Sequence, residues 1–309
     1  MFLILLLKGF IIGIAFIIPG VSGGTLAIYL GIYDKLLHSI GNVFKEFKKS
    51  VSFLIPVFLG VGISVILLAK LLGFLIDKNS FVTLCFFIGL IIGGIPSISK
   101  HIDWKKKDAS GYASMFFSVL LVVFLLVGKL MFKNAGVSSF EMNILNVFLL
   151  LILGFVASST MIIPGISGSA LLMVLGFYTA IVTNVVGEVL DFSQITYHLY
   201  VIIPFLIGAL LGIIVFSKII ENLLRKFSIQ TYKAIFGFII ASTLVIFFEI
   251  KDPSSALLWD NQTPIYLDLW NFLSKNLLSV LFGFIILGVG IYISKLLIRF
   301  EGKMKKSEL

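Results

Sequence analysis

The chain has 309 residues, of which 59% are hydrophobic and 13% are charged, and its mean hydropathy is +1.14. A soluble domain carries about a quarter charged residues, so this composition excludes a soluble globular protein. The net charge of +9 does not indicate nucleic-acid binding. Most Lys and Arg lie between apolar runs or near the C-terminus, as topology signals do. Cys85 is the one cysteine, which excludes a disulfide framework.

Apolar segments follow one another along the whole chain, and they predict an all-α polytopic membrane protein. The segments cover residues 2–18, 24–37, 51–76, 81–99, 114–132, 144–163, 169–189, 199–224, 232–249 and 274–297.

The first two segments are joined by a phrase that breaks a helix, and the phrase returns between the sixth and seventh segments. Residues 17–24 read Ile-Ile-Pro-Gly-Val-Ser-Gly-Gly, and residues 162–169 read Ile-Ile-Pro-Gly-Ile-Ser-Gly-Ser. Pro and Gly interrupt helices, and a membrane tolerates the unpaired backbone only where it is buried in protein or lines a watery cavity. A paired break in corresponding halves of a membrane protein indicates the binding site of a transporter.

The two halves match well beyond this phrase, first at an offset of 145 residues and then, after a slip of three, at 148. The matched pairs include Gly9 with Gly154, Tyr33 with Tyr178, Pro56 with Pro204, Lys70 with Lys218 and Thr83 with Thr231. Chance apolar similarity is a poor account of Pro, Lys and Thr falling into one register. We therefore predict an internal repeat with one copy in each half of the chain.

Charge predicts which way each half points in the membrane. Lys and Arg are concentrated in the links 38–50, 100–113 and 225–233 and in the C-terminal tail, whereas 187–198 carries neither and 250–273 is acidic. The positive-inside rule makes the first group and both termini cytoplasmic and the second group external. These side assignments are consistent with one another only if each motif-bearing pair of segments begins and ends on the same side of the membrane. The two halves of the chain are then inverted copies of each other.

Each motif-bearing pair is either two full crossings or a re-entrant hairpin with the motif at its tip. Segment 24–37 spans about 21 Å as a helix, against a hydrocarbon core of about 30 Å, which favours the hairpin. The predicted fold therefore has two inverted-topology repeats, each with a broken-helix hairpin and three spanning helices. The first repeat, 1–135, has the hairpin 2–37 and the spans 51–76, 81–99 and 114–132; the second, 140–309, has the hairpin 144–189 and the spans 199–224, 232–249 and 274–297.

The hairpin tips are the predicted binding site. A helix restarting near Gly24 or Gly168 presents unpaired N–H groups and the positive end of its dipole, which suit an anion. The predicted phosphate-binding residues are Pro19, Gly20, Ser22, Gly23, Gly24, Thr25, Pro164, Gly165, Ser167, Gly168 and Ser169. The alternative is that the breaks and small residues serve only close helix packing. No catalytic group, metal site or cofactor is predicted, and the three His residues lack metal-ligand spacing.

Three lysines within apolar segments are candidates for guiding a phosphate. Lys8 lies in the middle of the first segment and needs a partner or water there. Lys70 and Lys218 occupy matched positions late in equivalent segments. Their alternative role is that of membrane anchors whose amines reach the headgroup layer.

Both motifs, with Leu-Gly-Ile-Tyr-Asp at 30–34 and Leu-Gly-Phe-Tyr at 175–178, resemble those of the bacterial polyprenyl-phosphate transporter family. That resemblance implies a carrier that returns undecaprenyl phosphate from the outer to the inner leaflet of the cytoplasmic membrane for envelope polymer synthesis. It implies that the partners are the polyprenyl-phosphate lipid and membrane lipids, and no nucleic-acid partner is predicted. The sequence does not specify a coupling ion or an oligomeric state.

Two other functions are consistent with parts of the pattern. A carrier of small soluble anions would use the same tips. A membrane polyprenyl-diphosphate phosphatase also has inverted repeats, but its Pro-Gly-x-Ser tip continues with an Arg where this chain has Gly23 and Gly168. No Glu pair lies in either hairpin to act as acid and base, so we predict that the chain is not an enzyme.

Overall fold

The computed structural model of the chain describes residues 2–17, 23–106, 108–131, 139–164, 171–172, 175–177, 180–181, 194–252 and 263–307. Within these ranges the regular structure is helical, apart from one β-bridge between Lys251 and Pro264. The helices are α1 (Phe2–Ile17), α2 (Gly23–Tyr29), α3 (Tyr33–Gly41), α4 (Phe47–Ser99), α5 (Ala109–Met131), α6 (Ile144–Ile162), α7 (Ile195–Lys226), α8 (Ser228–Glu249), α9 (Leu269–Lys275) and α10 (Leu277–Ser307), with a 3₁₀ turn at Ile265–Leu267.

Six stretches of the described helices are long and apolar enough to cross a membrane. They are Phe47–Ser64, Lys78–Ser99, Ala109–Met131, Ile195–Lys226, Ser228–Phe248 and Leu277–Leu296. Two apolar helices are shorter, Phe2–Gly13 and Ile144–Thr160, and they are the first arms of the two predicted hairpins. The protein is an all-α, multi-pass membrane protein.

The predicted segments 51–76 and 81–99 lie in two helices that follow each other without a loop within α4, and the helical backbone is interrupted between them at Asn79 (φ −160°, ψ 88°). The Asn79 side chain accepts a hydrogen bond from the N–H of Val82 at 3.0 Å, as the capping residue of a new helix does. Its amide donates to the Ser279 hydroxyl at 3.1 Å. The predicted link 77–80 is therefore a capped bend, and we call residues 47–78 the first arm of α4 and 80–99 the second arm.

The predicted segment 24–37 is not one helix, and this corrects the sequence interpretation. It ends as α2 at Tyr29 and begins again as α3 at Tyr33. Gly31 has a left-handed φ of 63°, and the N–H of Ile32 donates back to the carbonyl of Ala27 at 3.0 Å. This is the hydrogen bond of a Schellman ending, which depends on glycine because other residues rarely adopt that φ.

Helices pack closely in four pairs: α1 with the first arm of α4, α6 with α7, the second arm of α4 with α10, and α5 with α8. Gly9 of α1 lies directly against the Val57 carbonyl of α4, and Gly154 of α6 lies directly against the Phe205 carbonyl of α7. Neither position has room for a Cβ atom, so small residues let the backbones touch, as is usual between helices in a membrane.

The link between α4 and α5 folds onto the start of α8. The His101 ring stacks on Tyr232, with 4.7 Å between ring centroids. The ammonium of Lys233 lies 3.7 Å from the Tyr112 ring centroid, and the whole Lys233 residue is buried at 0% exposure. This lysine forms no hydrogen bond within the described part of the chain, and its charge faces the Tyr112 ring and lies near the Asp108 carboxylate.

Candidate functional site

The first motif, where a hairpin tip is predicted, is described only on its C-terminal side. Helix α2 begins at Gly23, one residue before the predicted restart, and Gly23, Gly24 and Thr25 are all buried. The first amides of a helix have no acceptor within it, so the start of α2 carries into the protein interior donors that have no partner in that helix. The predicted site residues Pro19, Gly20 and Ser22 lie outside the described residues.

The second hairpin tip is described on its N-terminal side. Helix α6 ends at Ile162, Ile163 is extended (φ −82°, ψ 114°), and Pro164 is buried. The remaining predicted residues of this tip, Gly165, Ser167, Gly168 and Ser169, lie outside the described residues.

Three buried hydroxyl residues precede the second tip, and the sequence analysis did not single them out. They are Ser158, Ser159 and Thr160, and each hydroxyl donates to a carbonyl three residues earlier in α6, at 2.6–2.8 Å. Their donors are therefore occupied within the helix. A hydroxyl run just before the Pro-Gly motif was the signal that could have drawn attention to them.

The described residues that follow the two motifs form the same turn. Gly176 has a φ of 79°, and the N–H of Phe177 donates to the carbonyl of Leu172 at 2.9 Å. These residues lie 145 positions after Gly31, Ile32 and Ala27, which form the corresponding turn and hydrogen bond in the first half. The two motif regions therefore share a turn as well as a motif.

A hydrogen bond joins the start of α3 to the end of α6, the helix that leads into the second motif. The buried Tyr33 hydroxyl donates to the carbonyl of Ile162 at 2.8 Å, and α2 contacts α6 nearby. The Tyr29 hydroxyl of α2 donates to the carbonyl of Ile91 in α4 at 2.9 Å. The structure thus brings the flanks of the two motifs together, although they are far apart in sequence.

The three candidate lysines have different surroundings. The Lys8 amine donates to the carbonyl of Leu30 at 2.7 Å, so it ties α1 to the turn that follows α2. Lys218 is exposed on α7, where its backbone packs against Gly41. The side chain of Lys70 lies outside what the structure describes.

A polar cluster that the sequence analysis did not predict lies at the end of α3. His38 Nδ1 lies 2.5 Å from Glu221 Oε1, and the Asn42 amide donates to Glu221 Oε2 at 3.1 Å. His38 Nε2 lies 3.4 Å from Glu46 Oε1. The hydrogen bond with Glu221 raises the pKa of His38, and partial burial of the ring opposes this rise.

Residues 12–258 match the family described as VCA0040-like, undecaprenyl phosphate translocase-like. The chain belongs to this translocase-like family. It is 32% identical over 258 residues to a polyprenyl-phosphate transporter of Staphylococcus aureus, covering 82% of this chain and 88% of the relative. It is also 31% identical over 250 residues to a polyprenyl-phosphate transporter of Vibrio cholerae, covering 76% of this chain and 74% of that relative.

The names of the translocase-like family and of both relatives confirm the family that the motifs predicted. They describe transporters, which also confirms the prediction that this chain is not an enzyme. No solved structure matches the chain. Among the described residues, no three His, Cys, Asp or Glu side chains are grouped so that they could hold a metal ion.

Proposed function

We propose that this protein returns undecaprenyl phosphate, a polyprenyl-phosphate lipid, from the outer to the inner leaflet of the bacterial cytoplasmic membrane. The released carrier is then reused for envelope polymer synthesis. The two relatives are bacterial proteins named as polyprenyl-phosphate transporters, and they support this substrate.

The observation that carries the mechanism is the shared turn of the two hairpins. Gly31 and Gly176 both have a positive φ, and both turns close with equivalent hydrogen bonds at repeat-matched positions. Matched glycine contacts between α1 and α4 and between α6 and α7 also support a repeated unit. Inverted repeats with broken helices are an architecture of alternating-access carriers, in which the site is exposed to each side in turn.

In this mechanism the hairpins are re-entrant and their tips hold the phosphate. Helix α2 has 7 residues and α3 has 9, which is about 10 Å and 14 Å of helix, well short of a 30 Å hydrocarbon core. Buried amides at the start of α2 and the hydroxyls of Ser22 and Ser167 are donors that suit phosphate oxygens. Both termini lie on the cytoplasmic side.

Reconstitution into liposomes tests this proposal against its two alternatives. Transbilayer movement of undecaprenyl phosphate and release of phosphate from undecaprenyl diphosphate are measured separately, with uptake of inorganic phosphate as a third assay. We expect movement of the lipid monophosphate without phosphate release. Phosphate release would make the protein a phosphatase, and uptake of inorganic phosphate without lipid movement would make it a soluble-anion carrier.

The double variant Ser22→Ala/Ser167→Ala tests the tips, and Ser274→Ala is its matched control. Ser274 is an exposed serine of α9 whose hydroxyl donates to the carbonyl of Asn271 in its own helix. The tip variant should lose lipid movement while Ser274→Ala retains it. Equal movement by both variants would exclude the tips as the phosphate site.

A further inference from the structure

The polar cluster at the end of α3 lines a cavity where α3, the start of α4 and the end of α7 meet. His38 comes from α3, Glu46 directly precedes α4, and Glu221 comes from α7. The links beside the cluster, 38–50 and 225–233, are those that the positive-inside rule predicts to be cytoplasmic. The titratable and charged residues that line the cavity are Asp34, Lys35, His38, Glu46, Lys49, Glu221, Arg225 and Tyr232.

Both ring nitrogens of His38 face a carboxylate. Nδ1 lies 2.5 Å from Glu221 Oε1, and Nε2 lies 3.4 Å from Glu46 Oε1. A neutral imidazole carries one N–H and can donate to only one of these oxygens, whereas the imidazolium carries two. The geometry with both carboxylates in place therefore matches the protonated ring. The hydrogen bond with Glu221 also raises the pKa of His38, although partial burial of the ring opposes this rise.

The neighbouring cations do not replace the charge of the ring at Glu221. Lys49 donates to Glu46 Oε2 at 3.0 Å, so it compensates the other carboxylate. Arg225 lies one turn after Glu221, but its guanidinium donates to the neutral side chain of Asn222 at 3.3 Å. Within the described part of the chain, the imidazole is the ion-pair partner of Glu221.

Asn42, one turn after His38, offers a donor to the neutral ring. Its amide nitrogen donates to the His38 carbonyl and to Glu221 Oε2, both at 3.1 Å, and it lies 3.3 Å from Nδ1. A ring that has lost the Nδ1 proton can therefore accept from Asn42 while Nε2–H still faces Glu46. The opposite tautomer would turn a lone pair on Nε2 towards the Glu46 carboxylate. Loss of the proton thus removes the contact with α7 and keeps the one at the start of α4.

We propose that His38, Glu221 and Asn42 form a proton-binding site on the cytoplasmic side that latches α3 to α7. With the proton bound, the ring bridges Glu221 and Glu46. When the proton leaves to water, Nδ1 accepts from Asn42, and α3 loses its charged contact with α7.

The latch is one end of the attachment of α3 to the second half of the chain. At the other end of α3, the Tyr33 hydroxyl donates to the carbonyl of Ile162 in α6. Opening the latch would therefore leave α3 held at its first residue and free to move at its last turn. An effect on transport rests on the proposed lipid movement, which a closed latch should slow, whereas proton binding itself does not depend on that proposal.

The first test is a pH titration of the full-length protein in phosphatidylcholine nanodiscs, followed by the nitrogen-15 shifts of the histidine rings. The chain has 3 His, and His38→Gln identifies the signals of His38. We expect both its nitrogens to be protonated at acidic pH and Nε2 alone at alkaline pH. Glu221→Gln should lower the pKa of His38. The reference is His101, whose Nδ1 lies 3.1 Å from the Ser97 carbonyl, and its titration should not change.

The second test is hydrogen exchange of the α3 amides, with wild type and variant compared at the same pH. At acidic pH these amides should exchange about tenfold or more faster in Glu221→Gln than in the wild type. At alkaline pH the two rates should be equal, because the latch is then open in both. The matched control is Glu141→Gln, an exposed glutamate that precedes α6, and it should exchange as the wild type does.

Two results would overturn the proton-operated latch. One is a His38 ring that keeps its Nδ1 proton at alkaline pH, because the contact with Glu221 would then persist; this wild-type titration decides even where a variant fails to fold. The other is an exchange difference between Glu221→Gln and wild type that is the same at both pH values. Lipid movement is measured on the same preparations. Its absence at every pH would refute the proposed function, while the titration and the exchange still decide on the proton site.

Discussion

The Tyr33 hydroxyl donates to the carbonyl of Ile162 at 2.8 Å, across 129 residues of sequence. Tyr33 is the first residue of the helix α3, and Ile162 is the last residue of α6, next to the second Pro-Gly pair. One buried hydrogen bond thus fixes the start of α3 against the end of α6.

Tyr33→Phe should lower both stability and transport. The substitution removes the donor and leaves a buried carbonyl without it, at a cost of about 1–3 kcal/mol. The melting temperature and the rate of lipid movement are measured beside Tyr292→Phe, whose side chain is exposed on α10. A melting temperature equal to that of the wild type would contradict a structural role for this bond.

The tip residues should separate into two classes of effect. Ser22→Ala and Ser167→Ala each remove one charge-assisted hydrogen bond, worth about 1.5–3 kcal/mol, and should weaken binding about tenfold or more. Gly23→Leu and Gly168→Leu should do more harm, because a bulky side chain prevents close approach of the ligand to the backbone. Unimpaired transport by all four variants would show that the tips do not bind the phosphate.

The His38–Glu221 contact should make stability depend on pH. Its hydrogen bond raises the pKa of His38 in the folded protein, so the stabilisation is complete below the unfolded pKa of about 6.5 and is lost as pH rises through the folded pKa. His38→Gln should therefore lower the melting temperature most at acidic pH and least at alkaline pH. Glu221→Gln should flatten the same profile, and a pH-independent difference between His38→Gln and wild type would refute the assignment.

Lys70 and Lys218 should act from opposite leaflets if they guide the phosphate. Inverted repeats place matched residues near opposite faces, so Lys70→Gln should slow loading from outside and Lys218→Gln should slow exchange on the cytoplasmic side. Entry from each leaflet is measured separately. Wild-type rates for both variants in both directions would leave the two lysines as membrane anchors.

Membrane topology can be tested by labelling single cysteines in intact cells. Cysteines at Gly187 and Asp260 should react from outside, whereas one at Lys105 should be protected. Cys85 is buried and can be replaced by Ala to provide the background. Protection of the first two sites with labelling of the third would contradict the predicted inverted-repeat topology.

The apolar pattern predicted most of the helices but not how they are joined. Residues 77–80 look like a link because Lys78, Asn79 and Ser80 are polar, yet a side-chain cap lets the helix resume at once. Gly31 lies within an apolar run, and its left-handed turn depends on a hydrogen bond that composition does not reveal.

Local sequence patterns do not predict polar contacts between elements that are distant in the sequence. His38 and Glu221 are separated by 183 residues, and neither lies in a motif. The motif phrases indicated the hairpin tips because Pro and Gly carry a local signal. A cavity of about 610 Å³, lined by Lys35 of α3 and by Glu221 and Arg225 of α7 among others, has no such signal, because it forms only where these helices meet.

The pairing of the second arm of α4 with α10 has a consequence for synthesis. Gly89 lies directly against the Leu287 carbonyl, so the second arm of α4 packs through its glycine face on a helix that lies almost 200 residues later in the sequence. The partner of α5 is likewise α8, from the other half of the chain. During translation the early helices must remain in the bilayer with these faces uncovered until the late ones insert. A chain that stops before α10 therefore leaves the glycine face of α4 exposed to lipid, and this face is covered only when α10 inserts.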